Sequence, residues 1–322
     1  MEFCSSIAQR TSKKHPRFNM RVLFFGTPQF SADILSALFA DLAFTIVGVV
    51  CQPDEPVGRK KVLTAPPTKQ LGIEHGVPIF QPTKLRDEAF LASIDALRAD
   101  VAVIVAYGRI LPKVLLDRIP KGFVNVHPSL LPKYRGPSPM QAAIAGGDSV
   151  TGVSIMTIDE GMDTGPLLAQ APIDLIPNET TTSLTEKVVT VAAPLLIDSL
   201  KPYISGTIVP TPQSADGVSI CNMLSREDGK IDWTESVTII DQKVRAYTPW
   251  PGTWTTWPLN GADTVVKVLS GVPAPEAAPA HTAGPYSANG RLLCMASDMP
   301  FEILTLQPAG GKPMNGADFI RG

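Results

Sequence analysis

The chain is poor in side chains that hold metals. Four cysteines (Cys4, Cys51, Cys221 and Cys294) and four histidines are scattered through 322 residues, with no CxxC pair. That spacing offers no zinc ligand set and makes reduced, unpaired thiols the plain reading, so no metal is expected. An excess of one charge is also lacking. Lys and Arg total 28 against 30 Asp and Glu, a formal net charge of −2. The molecule as a whole therefore has no electrostatic signature of nucleic-acid binding, and such a role falls to local patches. No GxGxxG follows the first apolar segment, which argues against a dinucleotide site. No uninterrupted apolar run reaches the length of a membrane span, so no membrane segment is expected. Pro (31) and Gly (25) are plentiful but have no period, which excludes a fibrous chain.

What is present is a 44% apolar fraction, enough for real cores. The length points to two domains. Residues 1–19 carry Arg10, Lys13, Lys14, His15 and Arg17 against Glu2 alone, with no apolar signal-peptide core. They read as a flexible extension of a cytoplasmic protein, with organellar import as the alternative. Residues 20–206 form the first domain, 207–225 a linker rich in Pro, Thr, Ser and Gly, and 226–322 the second domain.

Arg21–Gly26, Phe44–Cys51 and Asp100–Ala106 are nearly all apolar. Strands buried on both faces imply a parallel-rich sheet covered by helices, a Rossmann-like α/β domain. Helices are expected after Pro28, with Ser31 as N-cap, and over 84–98, 138–145 and 182–200. Residues 52–69 read as a long polar loop carrying the basic cluster Arg59, Lys60 and Lys61. Beyond residue 225 short alternating segments, among them 231–233, 253–257, 265–269, 291–295 and 301–306, suggest a small β-barrel. All four tryptophans lie between 233 and 257, as packing residues or as a stacking platform for bases.

The stretch from Asn125 to Asp163 carries the chemistry. Asn125 and His127 are two apart, so in an extended chain both point the same way. An imidazole moves protons near neutral pH, and an amide NH2 donates to an oxygen that is gaining charge. A downstream carboxylate would orient the imidazole and stabilise its protonated form. Asp159, Glu160 and Asp163 are all candidates by spacing. Ser129 has no nucleophile-elbow sequence and Cys51 no paired context. Direct transfer of an acyl-type carbon to an incoming amine therefore fits better than a covalent acyl-enzyme.

Residues Asn125-Val126-His127-Pro128-Ser129-Leu130-Leu131-Pro132-Lys133-Tyr134-Arg135-Gly136, with Asp159-Glu160-Gly161-Met162-Asp163-Thr164-Gly165, resemble the folate-dependent formyltransferases. The resemblance implies that Asn125, His127 and Asp163 are the catalytic set and that 10-formyltetrahydrofolate is the formyl donor. It implies folate contacts at Ser129, Leu130, Leu131 and Pro132, and a pterin side lined by Tyr107, Gly108, Ile110 and Leu111. Val22–Phe30, Gln52–Lys61, Ile231–Trp233, Arg245–Gly252 and Leu306–Gly310 resemble the members that formylate the amino group of methionyl-initiator tRNA. That likeness implies tRNA contacts at Arg59, Lys60, Lys61 and Arg245, an OB-like C-terminal barrel and a monomer. The alternative acceptor is a small amine such as an amino-sugar nucleotide. One departure stands out: residues 226–322 hold 8 Lys and Arg against 10 Asp and Glu.

If the basic loop meets an acceptor stem, Arg59→Ala raises the tRNA concentration needed for half-maximal rate at fixed salt. An unchanged tRNA titration removes Arg59 from that role.

Overall fold

A computed structural model describes residues 19–58, 60–259, 261–277 and 284–321. The expected extension before residue 19 and the expected contact at Arg59 lie outside the described residues.

The first unit runs β1 (Met20–Gly26), α1 (Gln29–Ala40), β2 (Phe44–Val50), β3 (Glu55–Val57), β4 (Val62–Thr64), α2 (Pro67–Glu74), β5 (Ile79–Phe80), α3 (Glu88–Ala96), β6 (Val101–Val105), α4 (Lys113–Leu116), β7 (Phe123–His127), α5 (Pro139–Ala145), β8 (Val150–Thr157), β9 (Leu167–Asp174) and α6 (Thr181–Ser205). Seven strands form one sheet in the order β5-β2-β1-β6-β7-β8-β9. The first five are parallel, while β7–β8 and β8–β9 are antiparallel. From β1 the chain builds outward to β2 on one side and β6 on the other. That switch in order opens a crevice at the strand C-terminal ends.

Alternation along the strands separates two cores. Val22, Phe24, Val103, Val124, Val126 and Ile155 pack with α1 and α6. Leu23, Phe25, Ala102, Ile104 and Phe123 pack with Phe90, Leu91 and Ile94 of α3 and with Leu115. Both faces are apolar because helices cover both.

Several local expectations are corrected. Pro28 caps α1, and the Ser31 hydroxyl instead donates to the Val105 carbonyl at 2.5 Å, tying the helix to β6. Gly26 permits that approach, since a Cβ there would lie 2.7 Å from Ser31 Cβ and 2.8 Å from the Val105 oxygen. The long polar loop holds a small antiparallel hairpin, β3–β4. Residues 231–233 are not a strand, although the Ile231 amide donates to the Trp254 carbonyl. α6 spans 25 residues, and its length and composition would suffice to cross a membrane, contrary to the reading of the apolar runs. Here its Leu184, Val188, Ala192, Leu196 and Leu200 belong to the first core.

The second unit comprises α7 (Val237–Tyr247), β10 (Thr253–Leu259), β11 (Ala262–Pro273), β12 (Pro285–Ala288), β13 (Arg291–Met295), β14 (Pro300–Pro308), β15 (Met314–Asn315) and α8 (Gly316–Phe319). Its antiparallel, curled OB-like sheet follows the order β10-β11-β14-β13-β12, with β15 on β14. Trp257, Val266, Val268, Phe301 and Leu306 close over Ile240 and Val244 of α7.

Leu196 is fully buried and Leu42 is 84% exposed. Urea unfolding should show a loss of about 2–5 kcal/mol for Leu196→Ala and no more than about 0.5 kcal/mol for Leu42→Ala. Equal losses contradict the core assignment.

Candidate active site

The centre of the site is the end of β7. Asn125 and His127 share the strand face that carries Phe123, with Met156 and Ser154 opposite them on β8. The Asn125 side-chain amide makes no hydrogen bond to any described residue. His127 is 4% exposed. Its Nε2 lies 2.9 Å from the Tyr134 carbonyl oxygen. A carbonyl only accepts, so Nε2 carries the hydrogen and donates. Nδ1 is then the basic nitrogen, and it faces the Asp163 carboxylate at 3.7 Å.

The structure separates the three rival carboxylates. Asp163 alone faces the imidazole, and its Oδ2 accepts from the Gly136 amide at 2.8 Å. Asp159 ties its own turn, accepting from the Gly161 amide and the Thr164 hydroxyl. Glu160 lies 3.6 Å from Lys113 on the surface. One expectation changes in detail. The ring is oriented by the Tyr134 carbonyl, and Asp163 sits beyond direct hydrogen-bond reach of Nδ1. Burial pushes the His127 pKa below its ordinary 6.5, opposed by the Asp163 charge and by the Tyr134 bond. The imidazole is therefore neutral near pH 7, with Nδ1 free to take a proton.

Glycines allow the loops to close. Gly136 has φ +117, and a Cβ there would lie 2.1 Å from the Cys221 carbonyl. At Gly165 a Cβ would lie 1.8 Å from the Thr157 oxygen. Asp163 itself adopts φ +53, a left-handed backbone rare outside glycine.

The segment from Ser129 to Pro132 is bonded inward. The Ser129 hydroxyl, fully buried, donates to the Lys133 carbonyl at 2.6 Å. The Leu131 amide donates to Ser154 Oγ and its carbonyl accepts from Gln170. Ser129 and Leu131 thus help build the loop, with their side chains buried. Leu130 and Pro132 remain half-buried.

On the other side, Tyr107 is buried edge-on against Phe25, and its hydroxyl has no hydrogen-bond partner among the described residues. Gly108 turns the chain at φ +82. The Ile110 side chain is 95% exposed. The peptide groups of Arg109, Ile110 and Leu111 make no hydrogen bond among the described residues. Arg109 donates from its guanidinium to the carbonyls of Pro82 and Thr83, and Thr83, Arg86, Arg109 and Ile110 border a cleft of about 620 Å³.

The basic residues divide. Lys60 and Lys61 are exposed at the turn of the β3–β4 hairpin. Arg245 is half-buried, with part of its guanidinium already engaged. It pairs with Asp241 at 2.9 Å and donates to the Glu179 carbonyl, joining α7 to the start of α6. Arg226 and Lys230, which sequence reading did not single out, flank the Trp254 ring at 5.8 and 5.6 Å. Trp257 packs in the core, while Trp250 is exposed. Among the described residues no cluster of His, Cys, Asp and Glu is placed to hold a metal ion.

An amide, a buried imidazole and a carboxylate at the open end of an α/β sheet, with no paired nucleophile, define a group-transfer site. The comparisons assign the family. Residues 20–200 match the formyl transferase family and residues 223–322 its C-terminal domain. The chain belongs to the formyl transferase family. The methionyl-tRNA formyltransferase of Chloroflexus aggregans is 43% identical over 306 residues, covering 94% of this chain and 97% of that protein. That of Myxococcus xanthus is 41% identical over 310 residues, covering 94% and 95%. Among solved structures, Aquifex aeolicus HypX in complex with tetrahydrofolic acid is similar with a TM-score of 0.63 at 16% identity. The match covers 94% of this chain, which spans 47% of HypX. A Helicobacter canadensis N-formyltransferase in complex with folinic acid and dTDP-3-aminofucose gives 0.62 at 14% identity, covering 88% and 98%. At those identities the likeness concerns the fold.

The depressed His127 pKa carries a stability consequence. Between the folded value and the unfolded 6.5, the unfolded chain binds more protons. The contribution is complete above 6.5 and is lost as pH falls through that window. Taken from about pH 7.5 to about pH 5.5, the urea midpoint of wild type should drop more than that of His127→Gln. Parallel decline in both contradicts a neutral buried imidazole.

Proposed function

We propose that this protein transfers the formyl group of 10-formyltetrahydrofolate to the amino group of methionyl-initiator tRNA, giving N-formylmethionyl-tRNA. The observation that carries the reading is the end of β7, where the free amide of Asn125 and the Asp163-facing Nδ1 of His127 lie on one strand face. The near full-length kinship with proteins named methionyl-tRNA formyltransferase supports the acceptor.

The residues present fit a reduced folate. The unpaired peptide groups of Arg109 to Leu111 offer donors and acceptors to a ring edge, and the exposed Ile110 side chain offers an apolar face. When bound, the folate supplies a formyl carbon on a nitrogen that leaves as an amine. Asn125 donates from its NH2 to the formyl oxygen as attack places charge there. His127 Nδ1 accepts the proton that the attacking amine must shed, and the Asp163 carboxylate stabilises the resulting imidazolium. The same proton is then available to the departing nitrogen, which leaves His127 neutral again. Tyr134 holds the ring throughout.

Lys60 and Lys61 on the hairpin are proposed to meet the acceptor-stem phosphates. Arg226 and Lys230 beside Trp254 supply local positive charge in a unit that has no net excess of it.

With 10-formyltetrahydrofolate as donor, the protein should formylate initiator methionyl-tRNA, elongator methionyl-tRNA far less and a dTDP-amino sugar not at all. Formylation of the sugar nucleotide alone would overturn the proposal.

A further inference from the structure

The segment between α6 and α7 is more than a tether. Leu167 and Thr211 exchange both backbone hydrogen bonds, at 2.7 and 2.8 Å. Further along, the Arg135 amide donates to the Ser219 carbonyl, the Cys221 amide donates to the Arg135 carbonyl, and the Tyr134 amide donates to Ser219 Oγ. Between these two anchors stands Gln213. Its NH2 donates to the carbonyls of Asp163 and Gly165, both at 2.8 Å. Its Oε1 accepts from Arg135 Nε at 3.1 Å and Nη2 at 2.8 Å. Two donors and two acceptor positions are all that a primary amide has, and all are used.

The partners of Gln213 belong to the two loops that set the His127–Asp163 geometry. One loop supplies the Tyr134 carbonyl that holds the ring and the Gly136 amide that holds the Asp163 carboxylate. The other contains Asp163 in its left-handed backbone, a conformation that persists only where neighbours over-determine it. No other side chain of residues 207–225 bonds to both loops.

We propose that Gln213 is a positioning residue for formyl transfer, fixing the Asp163 loop against the Tyr134–Gly136 loop without touching substrate. The inference rests on the roles given above to His127 and Asp163. It makes the connector part of the frame of the active site.

The two halves of the amide can be separated. Gln213→Glu keeps an acceptor for Arg135 and loses both donors to the Asp163 loop, whereas Gln213→Ala loses everything. Both variants should show kcat reduced about 10²-fold, the scale for a catalytic group displaced by about 1 Å. KM for 10-formyltetrahydrofolate and for methionyl-tRNA should stay within about twofold, because only ground-state contacts set it. A second reading needs no turnover: the NMR titration of the His127 imidazole. The charged group facing that ring is Asp163. The nearby Cys221 thiol, whose Sγ contacts the Tyr134 carbonyl at 3.6 Å, is pushed up by burial and stays neutral. With Asp163 loosened, burial is less opposed and the His127 midpoint should move lower in Gln213→Ala, the variant that adds no charge near the ring.

An unchanged kcat in folded Gln213→Glu, or a lowered melting temperature with kcat and midpoint both unchanged in Gln213→Ala, would overturn the proposal. A wild type inactive on methionyl-tRNA would count against the functional reading alone. The titration would still decide the role of Gln213.

Discussion

The hydrogen bond from His127 Nε2 to the Tyr134 carbonyl is the constraint on which the site depends. It spans seven residues, from the end of β7 to the top of the following loop. It fixes the ring tautomer by the simplest rule, since a carbonyl cannot donate. The basic nitrogen is thereby turned toward Asp163. Without this bond, a buried imidazole would be free to present either nitrogen, and the carboxylate would face no defined nitrogen of the ring.

The rest of the first unit keeps that bond dry and in place. β7 is flanked by β6 and β8, so Asn125 and His127 stand on a strand paired along both edges. The loop carrying Tyr134 is held from behind by Ser154 and Gln170, and from the side by Asp148, which accepts from the Tyr134 hydroxyl at 2.9 Å. The Asp163 loop approaches closely enough to share the Gly136 amide because the positions of closest contact are glycines. Burial lowers the proton affinity of the imidazole, while the carboxylate restores part of it. A base that is neutral at rest and stabilised once protonated follows from that balance.

Much of this was legible in the chain, for identifiable reasons. Apolar runs such as Val22–Phe25 and Val101–Val105 announce doubly covered strands, and they form β1 and β6. The spacing of Asn125 and His127 placed them on one face, as a period of two requires. The choice among Asp159, Glu160 and Asp163 was not legible from spacing, because it is decided by which turn folds back toward Gly136. Tyr134 escaped notice because its contribution is a carbonyl, which every residue has. Gln213 escaped because its partners at Arg135 and Asp163 are 78 and 50 residues away, inside a segment whose composition reads as a linker. The structural role of Arg245 was not legible because charge alone does not reveal that Asp241, one helical turn earlier, and the Glu179 carbonyl bond to the guanidinium.

The central claim is that His127 rests as the Nε2–H tautomer with Nδ1 as its base, and a single measurement tests it most directly. In protein carrying 15N-labelled histidine, long-range proton–nitrogen correlation at neutral pH distinguishes a protonated ring nitrogen from a bare one. The account predicts a bare Nδ1 and a protonated Nε2 for His127. A protonated Nδ1 with a bare Nε2 would contradict it.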